Sequence, residues 1–345
     1  MMVLCLFDSG KDRTMNGSAV GILLLVLAGA MNGSFTLPMK FTKKWDWENT
    51  WLAWTIFALG VFPILLTYLT VPRLGDVYSQ AGTTPTLIAA SCGFGWGASQ
   101  VCFGLAVDAV GIALAFSVIL GIAAAVGALI PLFTQGDPFS TKGLEIIAGV
   151  ALVIIGVLIC AKAGRAREAA LGQGPKGKPS IGKGLFYCLM SGLGSALVGF
   201  GLQYGGKLAD TAEQMGASAT WKNNAAWLPL MVAGGIPNAI YCLYLISKNK
   251  TGGKFGVGGT GIYWLLAAIM AFCWFGSTLM YGVSANLLGI VIAWPAFMSL
   301  IVITAMIWGV VTGEWKGSGP GPLRTMYAGL GVLVLAIVVL SLAKS

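Results

Sequence analysis

The side chains best able to bind a solute occur in two similar stretches that lie 178 positions apart. Trp96 and Ser99 of the first stretch recur as Trp274 and Ser277 of the second. The further matches are Phe94, Gly104, Gly111, Ile112 and Ala115 with Phe272, Gly282, Gly289, Ile290 and Ala293. An indole and a hydroxyl three positions apart share one helix face, and an aromatic ring beside a polar group is a common ligand-binding combination. The duplication therefore predicts two such faces.

These faces require helices in a lipid bilayer to position them. The chain of 345 residues is 57% apolar and 10% charged, with a mean hydropathy of +0.84, which leaves too little polar surface for a soluble globule. Runs of about 20 apolar residues predict an all-α integral membrane protein with about ten transmembrane helices. The predicted spans are 17–38, 50–71, 84–107, 109–134, 142–163, 183–206, 224–247, 261–283, 286–311 and 323–343.

The order of these spans predicts an inverted repeat. Each span of the second stretch lies five spans after the corresponding span of the first, and an odd number of crossings turns the second copy upside down. We therefore expect an N-terminal extension at 1–16, a five-helix repeat at 17–163, a cytoplasmic linker at 164–183 and a second five-helix repeat at 184–345. Met15 is an expected alternative start of the chain.

The net charge of +9 indicates orientation rather than a nucleic-acid partner. Fourteen of the 21 basic residues lie in loops that follow odd-numbered spans: Lys40, Lys43, Lys44, Lys162, Arg165, Arg167, Lys176, Lys178, Lys183, Lys248, Lys250, Lys254, Lys316 and Arg324. Cytoplasmic loops carry the excess of lysine and arginine, so both termini are expected outside the cytoplasm. The sequence does not determine the oligomeric state.

The residue types argue against an enzyme, a metal site and a bound cofactor. The chain has no histidine, and its seven cysteines are scattered without paired spacing. The commonest general base is therefore missing, and any proton has to be handled by a carboxylate.

Four segments resemble one transporter family in the same order and spacing. They are PMKFTKKWDWENTW at 38–51, FGWGASQVCFGLAV in the third span, IAWPAFMS at 292–299 and GEWK at 313–316. Over nearly its whole length the chain resembles the L-rhamnose:proton symporter family of bacteria, within the drug/metabolite transporter superfamily. The resemblance implies ten helices in two inverted sets of five. It also implies uptake of a 6-deoxyhexose with a proton across the bacterial inner membrane.

Other functions stay open at this point. Gln100 and Asp108 depart from the family's pattern, so the substrate could be another sugar. The alternative function is a permease or exporter of another small metabolite in the same superfamily. A membrane-embedded enzyme lacks the catalytic groups it would need, and the duplicated polar and aromatic faces argue mildly against a purely structural protein.

A sugar site implied by the resemblance needs amides or hydroxyls beside an aromatic plate near the membrane midplane. Residues of those types within the spans are the predicted substrate-binding set: Asn32, Ser34, Trp96, Ser99, Gln100, Gln203, Asn238, Trp274, Ser277 and Trp294. The competing interpretation is that the indoles only fill helix interfaces.

Proton coupling needs a carboxylate that is reached alternately from each side of the membrane. We predict Asp210 and Glu213, because Asp210 lies seven residues after Gln203 and would share its helix face. Since no acid lies in the middle of a predicted span, each acid is also interpretable as a helix cap. Without a carboxylate in the cavity, facilitated diffusion would replace proton symport.

The segment from Lys40 to Trp47 combines lysines with indoles at a predicted cytoplasmic boundary. An anchor to anionic lipid headgroups explains this composition. A gate that includes Asp46 or Glu48 is the alternative.

Overall fold

The computed structural model describes residues 13–110, 112–172 and 181–342, and every regular element in these ranges is helical. The first half contains α1 (Arg13–Ser34), α2 (Trp47–Thr55), α3 (Phe62–Thr70), α4 (Leu74–Ala81), α5 (Thr83–Val110), α6 (Ile112–Gln135) and α7 (Thr141–Ala170). The second contains α8 (Ile181–Gly194), α9 (Leu197–Tyr204), α10 (Gly206–Gln214), α11 (Asn224–Asn249), α12 (Gly261–Leu288), α13 (Ile290–Val311) and α14 (Pro320–Leu342).

Within the described residues, eight segments are long and apolar enough to cross a membrane. They are Gly17–Phe41, Trp47–Thr70, Thr141–Ala170, Gly182–Gln214, Asn224–Asn249, Gly261–Leu288, Ile290–Val311 and Pro320–Leu342. The protein is therefore an all-helical, multi-pass membrane protein. The predicted extension at 1–16 lies mostly outside the described residues.

Proline changes the helical geometry of the second predicted span. Between α2 and α3 the backbone forms a π-helical turn, Ile56–Val61, immediately before Pro63. Proline has no amide hydrogen and its ring crowds the preceding turn, and a wider turn absorbs both effects. Pro229, Pro237 and Pro295 instead stay inside continuous helices.

Two segments differ from the sequence expectation. The sixth predicted span is divided, because α8 and α9 are separated by a turn at Ser195 and Ala196, and α10 follows the turn at Gly205. α7 continues through Ala170 into the expected linker, because the segment 164–170 contains good helix formers such as alanine, arginine and glutamate. Residues 173–180 of that linker lie outside the described ranges.

The helices pack closely where glycines remove the side chain. α5 crosses α11 at Gly93 and Gly97, where an added Cβ would lie 2.0 Å from the carbonyl oxygen of Leu230 and 2.1 Å from that of Gly234. α7 packs along α14, and α1 packs against α12 and α13. Small residues at such crossings let helix backbones approach in a membrane.

Each end of α11 meets a different set of connecting segments. At its C-terminal end, residues 40–50 of the first half contact residues 249–260 and 312–316 of the second, and we name this region the basic face. At its N-terminal end, α4 packs against α10 and against the beginning of α11, and we name this region the opposite face.

Candidate functional site

A cavity of ≈ 60 Å³ lies between the helices of the two halves and is called the central cavity below. α2, the π-helical turn, α5, α11 and α12 contribute its walls. The lining residues are Phe35, Trp51, Trp54, Leu59, Trp96, Gln100, Asn238 and Trp274. Four of the predicted substrate-binding residues therefore meet in one place: Trp96, Gln100, Asn238 and Trp274.

The duplicated tryptophans face each other in this cavity. The rings of Trp96 and Trp274 are stacked with centroids 5.8 Å apart and an interplanar angle of 20°. Trp54 meets the edge of Trp274 at 5.3 Å, and Trp51 lies 4.6 Å from Trp54. Four indoles thus form a continuous aromatic wall, with α2, α5 and α12 each contributing to it.

Asn238 fixes the position of this wall. Its Nδ2 donates to the carbonyl oxygens of Gly97 at 3.3 Å and Gly234 at 3.1 Å. Trp51 Nε1 donates to Asn238 Oδ1 at 3.5 Å. The amide is buried, so its bonds to α5 compensate the cost of removing it from water.

Two polar groups at the cavity have no hydrogen-bond partner among the described residues. The indole of Trp54 is only 4% exposed, and its buried Nε1 has no acceptor. The side-chain amide of Gln100 lines the cavity and makes no hydrogen bond within the same ranges. A buried indole N–H normally has a partner, so a solute oxygen fits both groups.

The two serines of the repeated stretches, Ser99 and Ser277, lie behind the wall and not in the cavity lining. Ser99 Oγ donates to the carbonyl oxygen of Trp96, and Ser277 Oγ donates to that of Trp274, both at 2.7 Å. Ser277 Oγ also accepts from Asn32 Nδ2 at 2.8 Å. These bonds hold the indole-bearing turns and join α1 to α12.

Three other predicted residues do not reach the central cavity. Ser34 accepts from Trp308 Nε1 at 2.7 Å, and Trp294 Nε1 donates to the carbonyl oxygen of Ala123 at 2.8 Å. Gln203 is exposed on α9. The first two join helices, and Gln203 faces the surroundings of the bundle.

The predicted proton-coupling acids lie at the opposite face. Asp210 and Glu213 are exposed on α10, away from the residues that line the cavity. Glu213 Oε2 lies 2.6 Å from Lys222 Nζ, and this hydrogen bond raises the pKa of the Lys222 ammonium. Among the described residues, neither acid meets the sugar-binding candidates.

Ion pairs and hydrogen bonds join the two halves across the basic face. Lys254 Nζ lies 2.6 Å from Asp46 Oδ2, and Glu314 pairs with both Lys40 and Arg167. Arg167 also lies over the ring of Trp315, 5.7 Å from its centroid. Pairs that connect residues this distant in sequence close this end of the bundle.

Sequence reasoning missed Phe35, Trp51 and Trp54 of the cavity lining. Trp47, Trp51 and Trp54 lie four and three positions apart, and this spacing indicates one shared helix face. The composition around the neighbouring Trp45 and Trp47 predicts a membrane anchor. Trp45 is buried and bonds the carbonyl oxygen of Lys254 through Nε1, whereas Trp47 is exposed and stacks on Trp51 at 5.3 Å.

With the geometry in place, comparison with known proteins identifies the family. The family model described as L-rhamnose-proton symport protein matches residues 14–345. The chain belongs to this family.

Similar proteins named L-rhamnose-proton symporter span the same length. The one from Mannheimia succiniciproducens is 27% identical, over 96% of this chain and 100% of the relative. Those from Escherichia coli and Citrobacter koseri are each 25% identical, over 93% of this chain and 96% of the relative. The likeness to this family, expected from the four sequence segments, is confirmed.

Proposed function

We propose that the protein imports L-rhamnose together with a proton across the bacterial inner membrane, and that the central cavity binds the sugar. The family and the names of the relatives support the reaction. The observation that carries the location is the aromatic wall beside two unpartnered polar groups, Trp54 Nε1 and the Gln100 amide. No observation favours another metabolite.

The chemistry of a deoxy sugar fits such a site. Its methyl group and C–H faces pack against indole rings, and its hydroxyls accept from Trp54 and exchange hydrogen bonds with Gln100. The cavity of ≈ 60 Å³ is smaller than ligand pockets, which measure roughly 300–1,000 Å³. Sugar therefore enters only after the walls separate, as alternating access requires.

We propose ten transmembrane helices, with α5 and α6 completing the eight apolar segments. α5 has 28 residues and α6 has 24, and both are long enough to span a bilayer. Glycine, serine and glutamine lower the hydropathy of α5, which is compatible with a helix that lines a polar cavity.

Matching contacts support the inverted five-helix repeats. A Cβ added to Gly29 would lie 2.3 Å from Leu300 Cβ, and one added to Gly192 would lie 2.6 Å from Ile122 Cβ. Gly192 stands 163 positions after Gly29, and Leu300 stands 178 positions after Ile122. The first predicted span of each half, α1 or α8, thus meets the fourth predicted span of the other half, α13 or α6, in the same way.

A second pair of contacts also relates equivalent positions of the two halves. Gly21 on α1 approaches Leu288 at 2.9 Å, and Gly184 on α8 approaches Val110 at 2.2 Å, again measured from an added Cβ. The offsets are again 163 and 178 positions. Two repeats related by a twofold axis produce such pairs of equivalent contacts, in which the two halves trade places.

The proton-coupling role of Asp210 and Glu213 stays a prediction. Their place on α10 would let them exchange protons with water at the opposite face. Neutralising them as Asp210→Asn and Glu213→Gln tests the role directly, because loss of proton movement with sugar would support it.

The first experiment measures pH in lightly buffered, energy-depleted cells that contain the protein. L-rhamnose is expected to make the medium alkaline while labelled rhamnose enters. If rhamnose does neither and another metabolite does both, the function is transport of that metabolite.

The location is tested with Trp54→Phe and Gln100→Leu. Each removes one hydrogen bond to sugar, so rhamnose affinity should fall about three- to ten-fold. Trp264→Phe is the matched control, because this indole packs on Phe255 away from the cavity. Unchanged affinity in both cavity variants would place the sugar elsewhere.

A further inference from the structure

Among the carboxylates whose side chains the structure describes, Glu48 is the buried one. It lies in the first turn of α2 and is 5% exposed. Its Oε1 accepts from Asn249 Nδ2 and from Thr251 Oγ1, both at 3.0 Å. Both donors belong to the second half, about 200 positions away, so Glu48 lies at a contact between the halves.

No cation lies within ion-pair distance of Glu48 among the described residues. Lys254, in the connection that follows α11, is paired with Asp46. On α11, the thiol of Cys242 interacts electrostatically with Glu48, and Lys248, one residue before the donor Asn249, lies over the ring of Tyr244. α12, which also packs against α2, carries no charged side chain. The groups bonded to Glu48 are therefore neutral, and the nearby Lys254 is already paired with Asp46.

Burying an ionised carboxylate costs free energy unless it is paired, and a bound proton removes most of this cost. Both donors are directed at Oε1, so Oε2 is the oxygen that can take a proton while both bonds persist.

Glu48 is also linked to the central cavity. It lies one helical turn from Trp51, which forms part of the aromatic wall and donates to Asn238. Separation of the walls to admit sugar would move the same turn of α2.

We propose that Glu48 carries the coupled proton, an inference that rests on the proposed symport. Oε2 takes a proton from water that enters through the opened cavity, which forms an O–H bond and removes the carboxylate charge. Separation of the basic face breaks the contacts with Asn249 and Thr251, admits water from that side and returns the proton to it. One proton enters and one leaves, with no change of redox state.

The decisive variant is Glu48→Gln, which keeps an acceptor at Oε1 and cannot take up or release a proton at this position. Rhamnose-dependent alkalinisation is expected to fall about ten-fold or more, because the membrane-embedded proton carrier is lost. Exchange of labelled for unlabelled rhamnose needs no net proton movement and should persist. Asp76→Asn is the matched control, since Asp76 is an exposed acid in the first turn of α4. It should retain full alkalinisation.

Alkalinisation at the wild-type rate in Glu48→Gln would overturn the proposal. If Asp210→Asn or Glu213→Gln loses alkalinisation while Glu48→Gln retains it, the carrier lies on α10. If the wild-type protein itself moves neither proton nor rhamnose, the proposed function fails instead.

Thr251→Val keeps the test valid if Glu48→Gln does not fold. Loss of one donor to Oε1 should change the pH dependence of rhamnose exchange, with the maximal exchange rate retained. An unchanged pH profile would also overturn the proposal.

Discussion

The two ends of α11 are closed by different forces. At the basic face, Lys254 with Asp46 and Glu314 with Lys40 and Arg167 join segments that are far apart in sequence. At the opposite face, α4 and α10 meet through apolar side chains, among them Val77 and Leu208. Among the described residues, the ion pair at this face is Glu213 with Lys222, which joins neighbours within one half.

This difference indicates how each end opens. Charged groups regain hydration when an ion pair separates, so partly exposed pairs oppose separation weakly. Apolar side chains gain no favourable hydration when they separate, so exposing them to water costs free energy. We therefore expect the basic face to open and close readily, while opening of the opposite face needs a larger driving force.

The largest expected effect comes from locking the basic face. Asp46→Cys combined with Lys254→Cys, joined by a reversible bifunctional methanethiosulfonate, should abolish rhamnose uptake, because the two halves can no longer separate there. Reductant should restore uptake. Each single-cysteine variant and the wild-type protein, treated in the same way, control for reaction at other thiols. Persisting uptake in the cross-linked protein would show that this end does not open.

Truncation at the opposite face should reduce stability most. Leu208 is fully buried between α10 and α4, so Leu208→Ala is expected to lower the free energy of unfolding by about 2–5 kcal/mol. Denaturant titration in detergent measures this loss. A change below 1 kcal/mol, on the order of a surface substitution, would contradict the assignment of apolar closure.

Removing the shared acid of the basic face should have a smaller effect. Glu314→Gln breaks its pairs with Lys40 and Arg167, whose side chains are partly exposed. The expected loss of unfolding free energy is about 1 kcal/mol, and it should shrink as salt screens the pairs. The same salt series should leave the effect of Leu208→Ala in place.

The smallest expected effect involves Lys222. Its hydrogen bond to Glu213 raises the pKa of the ammonium, so the resulting stability is complete below the ordinary lysine pKa. It is lost as the pH rises through the raised value. Glu213→Gln should therefore match the wild-type unfolding midpoint at high pH and fall slightly below it near neutrality. A larger difference at high pH would contradict this assignment.

The sequence predicted most of the helices but not their irregularities. Apolar runs located the spans because burial in lipid requires them, whichever neighbours the helices have. α4 is too short and polar to stand out as a span, and the π-helical turn before Pro63 depends on how the backbone relieves a local clash. The division between α8 and α9 depends on packing in the same way.

The candidate site was predicted in part. Trp96, Trp274, Gln100 and Asn238 line the central cavity, and repetition or an amide within a span made each of them visible in the sequence. Ser99 and Ser277 have the same repeated spacing, yet their hydroxyls bond the carbonyl oxygens of Trp96 and Trp274. Spacing alone cannot show whether a serine hydroxyl bonds a carbonyl oxygen in its own helix turn or a bound solute.

The sequence by itself determined that the chain is a membrane protein and which family it resembles. Composition carries the first because each helix must satisfy its own backbone in lipid, and four segments of the sequence carry the second. Tertiary structure alone decided which indoles share a cavity and which acid is buried. Glu48 resembles any acid at a helix start until Asn249 and Thr251, about 200 positions away, cover it. Burial is a property of the packed halves, and neighbours in sequence do not specify it.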